Sequence, residues 1–573
     1  MIEVRYLDVP TGVGDKFELY GDHLLGISDT ELLRKTETAT LYATQELGGW
    51  PLNGSRKLVD AHTKEPFWSE EISGSRSGYV GAGILGLCQL ADEVSAFRYP
   101  SVLWVMFPQL CAVSGVTFEF PLQEDNWCSR VHVRLYANDE LVWEEDAWPE
   151  GPRWELDCSV PAVNRVEFRF LETAKPGRYA KLSRIYIGKT VVFTKEELKT
   201  VELINECDPG LDELTVDTMT VEVRDLKERN LHPRKDQRIE LYYGGKLLAS
   251  HTIDNCSSTM AHHYRFTSRS LIGQLEDTFL GGMYDRVPLK TLLDSILQDI
   301  PYKVDEAFQR TVVTGYLPVC TRRQALQQVA FTVGAAVSTL GTDHIRLSPV
   351  QEIATGAFGN NQVFRGATVE TNAGVSRIEV VAHQYTPAQD RQTLIDGEVL
   401  QGESVLLTFP EPHHSYEVTG GTLVEQGANY IVISAKGEVT VTAGVYRHTC
   451  LRYGQDCGTQ TGMHRDQIRK VENVTLIHSH NVKEVLSRLS KLYAQQQQVL
   501  TQDVVVDGQY AGQRVAIEDP SGNLIHGHIT QMTGLLTAGG HTASVTVVGL
   551  RQTPQIAMCY AGCAYAGGKE VGL

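Results

Sequence analysis

The sequence predicts a mainly β protein with α+β parts: a jelly-roll β-sandwich first, then a region of short strands interrupted by three helices. Three observations lead there. All seven tryptophans, Trp50, Trp68, Trp104, Trp127, Trp143, Trp148 and Trp154, precede residue 155 of 573, a composition shift that marks a separate domain. Runs such as SGVTFEF, VHVRLYAN, RVEFRF and LSRIYIG alternate apolar and polar residues with the period of a strand, and turn clusters (EDNW, PEGP, KPGR) separate them. Farther on, three windows carry apolar residues at helical spacing, and the length itself exceeds what one hydrophobic core serves.

In chain order, the sandwich is expected over residues 1–190, and residues 191–573 are expected to fold without it. A first small β-barrel is expected over 191–275. Its strands are KTVELINE and, after the turn CDPGLDE, LTVDTMTVEVRD; then comes the hairpin QRIELYYGGKLLASHTI, whose Gly244 and Gly245 suit a tight turn. An α/β segment over 276–383 holds two helices: PLKTLLDSILQDI, with Pro288 in the first turn, and TRRQALQQVAFTVGAAV, with Thr321 as cap and Leu326, Val329, Ala330 and Val333 along one face. A β-rich insertion over 384–470 contains SVLLTF, NYIVIS and EVTVTAGVY. The third helix and a second barrel fill 471–552; the stripe Val482, Val485, Leu486, Leu489, Leu492 and Tyr493 is expected to pack onto that barrel. A small-residue tail, 553–573, ends the chain.

The two barrels are expected to be related because of a repeat. Gln237–Ile253 (QRIELYYGGKLLASHTI) and Gln513–Ile529 (QRVAIEDPSGNLIHGHI) align end to end, with Gln237, Arg238, Leu248 and Ile253 meeting Gln513, Arg514, Leu524 and Ile529. Alternation places Ile239 and Leu241, or Val515 and Ile517, inside. Alternation turns Arg238 and Arg514 to the opposite face, which makes them candidate contact residues.

Composition excludes several roles. A formal net charge of −18 opposes binding to a phosphate backbone, so no sequence-specific nucleic-acid partner is expected. No apolar run is long enough for a transmembrane segment, and MIEVRYLDVPTGVGDKF lacks the form of a signal peptide, so a chain made and kept in a cytoplasm is expected. Eleven cysteines without a CxxC pair read as reduced thiols. GVGDKF and GAGILG lack the strand-turn-helix context of a phosphate loop; no nucleophile or metal tetrad stands out, and neither enzyme activity, cofactor nor metal is expected.

The sharper candidates each have a plainer alternative. LVWEEDAWPEGPRWELD interleaves Trp143, Trp148 and Trp154 with carboxylates, either a stacking platform for a saccharide or structural indoles of a hairpin. Glu144 and Glu145, like Glu70 and Glu71, are adjacent on a strand and point to opposite faces, which speaks against a glycosidase pair. His478 and His480 share a strand face and could ligate a metal, or serve as ordinary surface histidines; the adjacent pairs His262 with His263 and His413 with His414 diverge. Cys559 and Cys563 could ligate metal or cluster on an axis, or belong to a mobile tail.

From Val191 onward the chain resembles the central baseplate or tail-tip hub proteins of tailed bacteriophages, whose fold is shared with type VI secretion spikes. The likeness rests on FTKEELKTVELINECDPGLDELTVDTMTVEV, on GQLEDTFLGGMYDRVPLKTLLDSIL, and on VLSRLSKLYAQQQQVLTQDVVVDGQYAGQRVAIEDPSGNLIHGHITQMTGLL. Ahead of it, TATLYATQELGGWPLNGSRKL, FWSEEISG and YPSVLWVMFPQLCAVSGVTFEF resemble a discoidin-like or carbohydrate-binding-module jelly roll. The resemblance implies a structural virion protein: a homotrimeric ring with two related barrels per chain, pseudo-sixfold against a hexameric tail tube. It also implies assembly in the bacterial host cytoplasm and a lumen that passes tape-measure protein and DNA, for which a negative chain is suited. Tail tube, distal tail, tape-measure and other baseplate or spike proteins are the implied partners. The alternatives are a receptor-binding protein that grips host-surface polysaccharide and a wall-degrading tail enzyme.

Overall fold

The computed structural model describes residues 2–8, 16–22, 39–40, 85–120, 127–176, 179–182, 184–186, 188–227, 231, 233, 235–298, 300–359, 361–371, 374–457, 467–496, 498–537, 540–552, 558–559 and 571–572. The chain divides into two compact units: Met1–Lys199 with Thr220–Ser268, and Thr200–Met219 with Arg269–Leu573. Strands dominate, and the described residues hold three α-helices, none long and apolar enough to cross a membrane.

The first unit opens on Ile2–Asp8 (β1). The sandwich strands follow as Lys16–Asp22 (β2), Ala96–Glu119 (β3), Cys128–Ala137 (β4), Glu140–Ala147 (β5) and Arg153–Thr173 (β6). They form an antiparallel sheet in the order β2-β3-β6-β4-β5. The alternation read from sequence sets its core: Val131, Val133 and Leu135 of β4 lie opposite Phe170, Phe168 and Val166 of β6, all fully buried. The Phe168 ring meets Phe118 of β3 edge-on at 5.4 Å.

Lys189–Thr194 (β7) then pairs antiparallel with β1, from Glu3 opposite Thr194 to Asp8 opposite Lys189. After Leu198–Glu206 (β8), which belongs mostly to the second unit, the first continues with Thr218–Arg224 (β9), Arg238–Tyr243 (β10), Lys246–Met260 (β11) and His263–Arg269 (β12). These four run in the order β10-β11-β12-β9, a Greek-key arrangement in which the earliest strand returns beside the last. Gly244 and Gly245 make the β10–β11 turn, with φ of 59° and 79° that L side chains rarely adopt.

Here the expected boundary at residue 190 is corrected. β1 lies between β7 and β10, with Val4 and Tyr6 opposite Leu241 and Ile239. Ile2, Val4 and Tyr6 are buried; the Tyr6 ring packs 5.6 Å from Phe266, and its hydroxyl donates to Gln237 Oε1 at 2.7 Å. The sandwich is therefore inserted between two adjacent strands of a Greek-key sheet. IEVRYLD alternates as any strand does, and its partners arrive only after the whole sandwich, so sequence proximity assigned it wrongly.

The second unit holds Leu289–Leu297 (α1), Arg322–Val333 (α2), Gly356–Phe358 (β13), Thr368–Thr371 (β14), Arg377–Thr408 (β15), His413–Gln426 (β16), Tyr430–Asp456 (β17) and Val482–Tyr493 (α3). Its last long strands are Gln498–Val505 (β18), Arg514–Glu518 (β19), Leu524–Thr537 (β20) and Gly540–Gln552 (β21). Thr321 and Gln324 form a capping box at the start of α2. Arg322 reaches back to α1, donating from Nε to the Ile296 carbonyl at 2.5 Å and from Nη2 to that of Leu297, which also accepts from the Ile300 amide at 2.9 Å; both oxygens lie in the last turn, where no intrahelical donor remains.

Helix α3 buries the predicted stripe, but against Ile378, Val380 and Ala382 at the base of β15 and Phe331 of α2. The adjoining barrel expected as its partner has a separate core, because a stripe fixes which face is buried and leaves the partner open. β15, β16 and β17 form the sheet β16-β17-β15, and Ile395, Phe409, Ile431, Ile433 and Val441 give it a core of its own. Fully buried Asn429, just before β17, donates to the carbonyls of Leu280 (3.0 Å) and Leu317 (2.9 Å) and accepts from the Tyr316 hydroxyl (2.9 Å). The last four strands run in the order β19-β20-β21-β18 around Val515, Ile517, Ile525, Ile529, Val545 and Val547.

Candidate functional site

The sequence repeat is a repeat in space. In β10–β11, Arg238, Ile239, Glu240 and Leu241 lie opposite Thr252, His251, Ser250 and Ala249. In β19–β20, Arg514, Val515, Ala516 and Ile517 lie opposite His528, Gly527, His526 and Ile525, the same register at a constant offset. The Ile253 amide donates to the Gln237 carbonyl at 2.8 Å, and the Ile529 amide to that of Gln513 at 2.9 Å. The amides of Asp236 and Gly512 donate to the carbonyls of Ile253 and Ile529 at 2.8 and 2.7 Å. Ile239, Leu241, Val515 and Ile517 are fully buried, as alternation requires. Since strand order agrees as well, the two Greek-key units are copies of one design. Their inner positions differ at His251, where burial lowers the imidazole pKa to about 3; Gly527 occupies the equivalent place.

The two arginines sit in equivalent register but unlike surroundings. Arg238 is largely covered, its guanidinium 2.8 Å from Glu240 and 2.9 Å from the Ser250 hydroxyl. Arg514 is half-buried; desolvation lowers its pKa, with Glu352 opposing that shift.

The far halves of β11 and β20 differ more. In β20, Gln531–Leu536 is covered by β8, from Glu206 opposite Gln531 to Val201 opposite Leu536, and Met532, Leu536, Val201 and Leu203 are buried together. The matching residues of β11, Asn255–Met260, have no strand on that edge among the described residues. Met260 is 67% exposed where its counterpart Leu536 is 1% exposed. A second open edge belongs to β14, which pairs with β18 from Thr368 opposite Thr501 to Thr371 opposite Gln498 and has no described strand beyond it.

On the sandwich, the three tryptophans of the suggested platform stand in different settings. Trp143 is half-buried opposite the core residue Leu135. Trp154 stacks 6.3 Å from Phe118. Trp148 is 54% exposed, with the Arg130 guanidinium 4.8 Å over its ring. Glu144 lies opposite Arg134 and Glu145 opposite Val133, so the pair does diverge across the sheet. The outer face carries a charge ladder: Arg130 to Asp146 (2.7 Å) and Glu172 (3.2 Å), His132 to Asp146 (2.6 Å), Arg134 to Glu144 (3.0 Å), and Arg169 to the buried Glu167 (2.6 Å). Burial resists ionisation of Asp146, yet Arg130 and His132 outweigh it and hold its pKa below the ordinary value.

His478 and His480 lie with rings 5.0 Å apart just ahead of α3. His413 is buried and His414 half-exposed, and His262 and His263 sit at the β11–β12 turn. The suggested clustering of Cys559 and Cys563 falls outside the residues whose side chains are described.

No protein-family model and no curated protein matches the chain. Solved structures similar to it include a tail protein from Neisseria meningitidis (11% identity over 64% of this chain and 94% of that one, TM-score 0.39). Another is a 43 kDa prophage tail protein from Shewanella oneidensis (10% identity, 63% and 95%, TM-score 0.38). A family 32 carbohydrate-binding module from C. perfringens, solved with galactose, matches 23% of this chain and 87% of its own at 14% identity and a TM-score of 0.16. With every one of these TM-scores below 0.5, the likenesses assign this chain neither a function nor a partner.

Proposed function

We propose that this protein is a structural virion component, the hub of a phage tail tip or baseplate, in which three copies close a ring. The ring joins a hexameric tail tube to the tail tip and forms part of the DNA-ejection channel. The observation that carries this reading is the register-matched pair of Greek-key units. Three chains with two such units each present six related positions to a sixfold tube, which three single-unit chains could not do.

The open edges supply a contact. β14 of one copy, laid along Asn255–Met260 of the next, repeats what β8 does on β20 and covers Met260 as Leu536 is covered. Exposed strand edges invite such pairing, and unlike edges on one chain give a head-to-tail contact, which builds a ring when its rotation closes. Tail tube, distal tail, tape-measure and other baseplate or spike proteins are the partners of such a ring.

Mass photometry of the purified full chain tests the proposal. The expected mass is three times 63.5 kDa. Ser258→Lys combined with Met260→Lys, both at exposed positions of the edge, should return monomers with an unchanged circular-dichroism spectrum. A dimer or monomer for the unaltered chain, or a trimer indifferent to the two lysines, defeats it. Exposed Trp148 beside the Arg130 guanidinium supports a second role, saccharide contact by the sandwich. Sugar-dependent tryptophan fluorescence that disappears in Trp148→Ala checks it.

A further inference from the structure

Away from the repeated hairpins, the long β15–β17 ladder brings together three groups that sequence spacing did not single out. His383 lies opposite Cys450, and Tyr385 opposite His448, so alternation puts His383, His448 and Cys450 on one face. His383 Nδ1 is 3.0 Å from His448 Nε2; Cys450 Sγ is 3.4 Å from His448 Nε2 and 3.9 Å from His383 Nδ1. The three ligand atoms lie within 4.8 Å of one another.

We propose that His383, His448 and Cys450 form a zinc site. A tetrahedral zinc, with Zn–N of about 2.0–2.1 Å and Zn–S of about 2.3 Å, places its ligand nitrogens about 3.4 Å apart and nitrogen and sulfur about 3.6 Å apart. The triangle already present differs from that by a few tenths of an ångström, so no backbone rearrangement is needed.

Orientation supports the same assignment. His383 Nε2 is 3.0 Å from the Glu472 carbonyl oxygen, which can only accept, so Nε2 carries the proton and Nδ1 presents a lone pair to the other two groups. A ligating histidine held through its second nitrogen by a backbone carbonyl is the usual outer arrangement of such sites. The His448 ring is stacked on Tyr385 at 4.3 Å and 3°, which fixes its plane. His383 is buried while His448 and Cys450 are exposed, so an ion can enter from solvent and keeps a fourth position for water or a partner's side chain. In the metal-free state the short N···N contact requires His448 to donate to His383. Binding moves that proton to His448 Nδ1, and the Cys450 thiol proton is released to solvent, so affinity rises with pH.

The test uses the full chain without a histidine tag, kept reduced and titrated with Zn2+ and, separately, Co2+. Expected are uptake of about one zinc per chain, a raised thermal midpoint, and a thiolate-to-cobalt charge-transfer band. Cys450→Ser and His448→Ala change exposed positions; each should weaken zinc binding by more than about 100-fold, beyond the upper end for loss of an outer partner. Cys450→Ser should also abolish the cobalt band. No stoichiometric zinc uptake, equal affinity in either variant, a cobalt band that survives Cys450→Ser, or copper binding without zinc binding would each overturn the assignment.

Discussion

Removing the first 190 residues should unfold the first Greek-key unit, whereas removing the sandwich alone should not. A chain starting at residue 191 lacks β1, whose Ile2, Val4 and Tyr6 side chains are buried against Leu241, Ile239, Phe193 and Phe266. Burying one such side chain contributes about 1.5–3 kcal/mol, so the three together contribute about 5–9 kcal/mol, an upper bound because unfolded chains are partly compact. Domains are stable by about 5–15 kcal/mol, so that loss, added to the ladder bonds from β1 to β7 and β10, leaves little margin. The complementary deletion removes residues 9–188 and joins Asp8 to Lys189 through an Asn-Gly pair. These residues are already cross-strand partners, and a two-residue turn of that type suits an antiparallel hairpin. Urea unfolding followed by circular dichroism compares the two shortened chains with the full one. The excised chain should keep the cooperative transition of the first Greek-key unit, and the chain from 191 should lose it. A chain from 191 as stable as the excised one would mean that β1 contributes nothing, and the inserted-sandwich topology would fall.

Leu489→Ala, in the 1%-exposed centre of the α3 stripe, should cost about 2–5 kcal/mol in urea unfolding, and a cost near zero would contradict its packing on Ile378 and Val380. His251, whose pKa is lowered to about 3 by burial, stays neutral in the folded chain while the unfolded chain takes up a proton below the ordinary value of 6.5. Stability should therefore fall as pH drops from 6.5 toward 3, by up to about 1.4 kcal/mol per pH unit, and His251→Gln should reduce that slope. Equal slopes for the two proteins would show that the imidazole does not resist protonation. Asn429→Leu removes the amide donor from the buried Leu317 carbonyl, at about 1–3 kcal/mol, and from the part-buried Leu280 carbonyl, so the β15–β17 sheet should exchange its amides faster near residues 427–430. Unchanged exchange there would mean that this anchor does not hold the turn.

The helices were legible from local signals: Thr321 as the cap of α2, Pro288 ahead of Leu289 in α1, and in α3 the apolar stripe from Val482 through Leu492. The repeat was legible because hairpins are local, so register follows from turn and alternation together. What stayed hidden was nonlocal. β1 carries no mark of the strand it will join, and the α3 stripe does not name Ile378 as its partner. The open edge at Asn255–Met260 became visible only once β8 was seen covering the equivalent half of β20. The His383, His448 and Cys450 triangle escaped for the same reason, since its members come from strands brought together only by the long ladder.

Insertion between Asp8 and Lys189 gives the sandwich two covalent attachments instead of one. A domain appended to a terminus is shed by a single peptide-bond cleavage. Here one cut in either connection leaves the sandwich joined through the other, and the severed end still carries β1 or β7, each with its own ladder in the sheet. Any replacement at this locus must itself begin and end on neighbouring points, because the two anchoring residues face each other across one strand pair, about 4.5–5.5 Å between Cα atoms. The anchorage thus resists loss by proteolysis while restricting which folds could be exchanged into it.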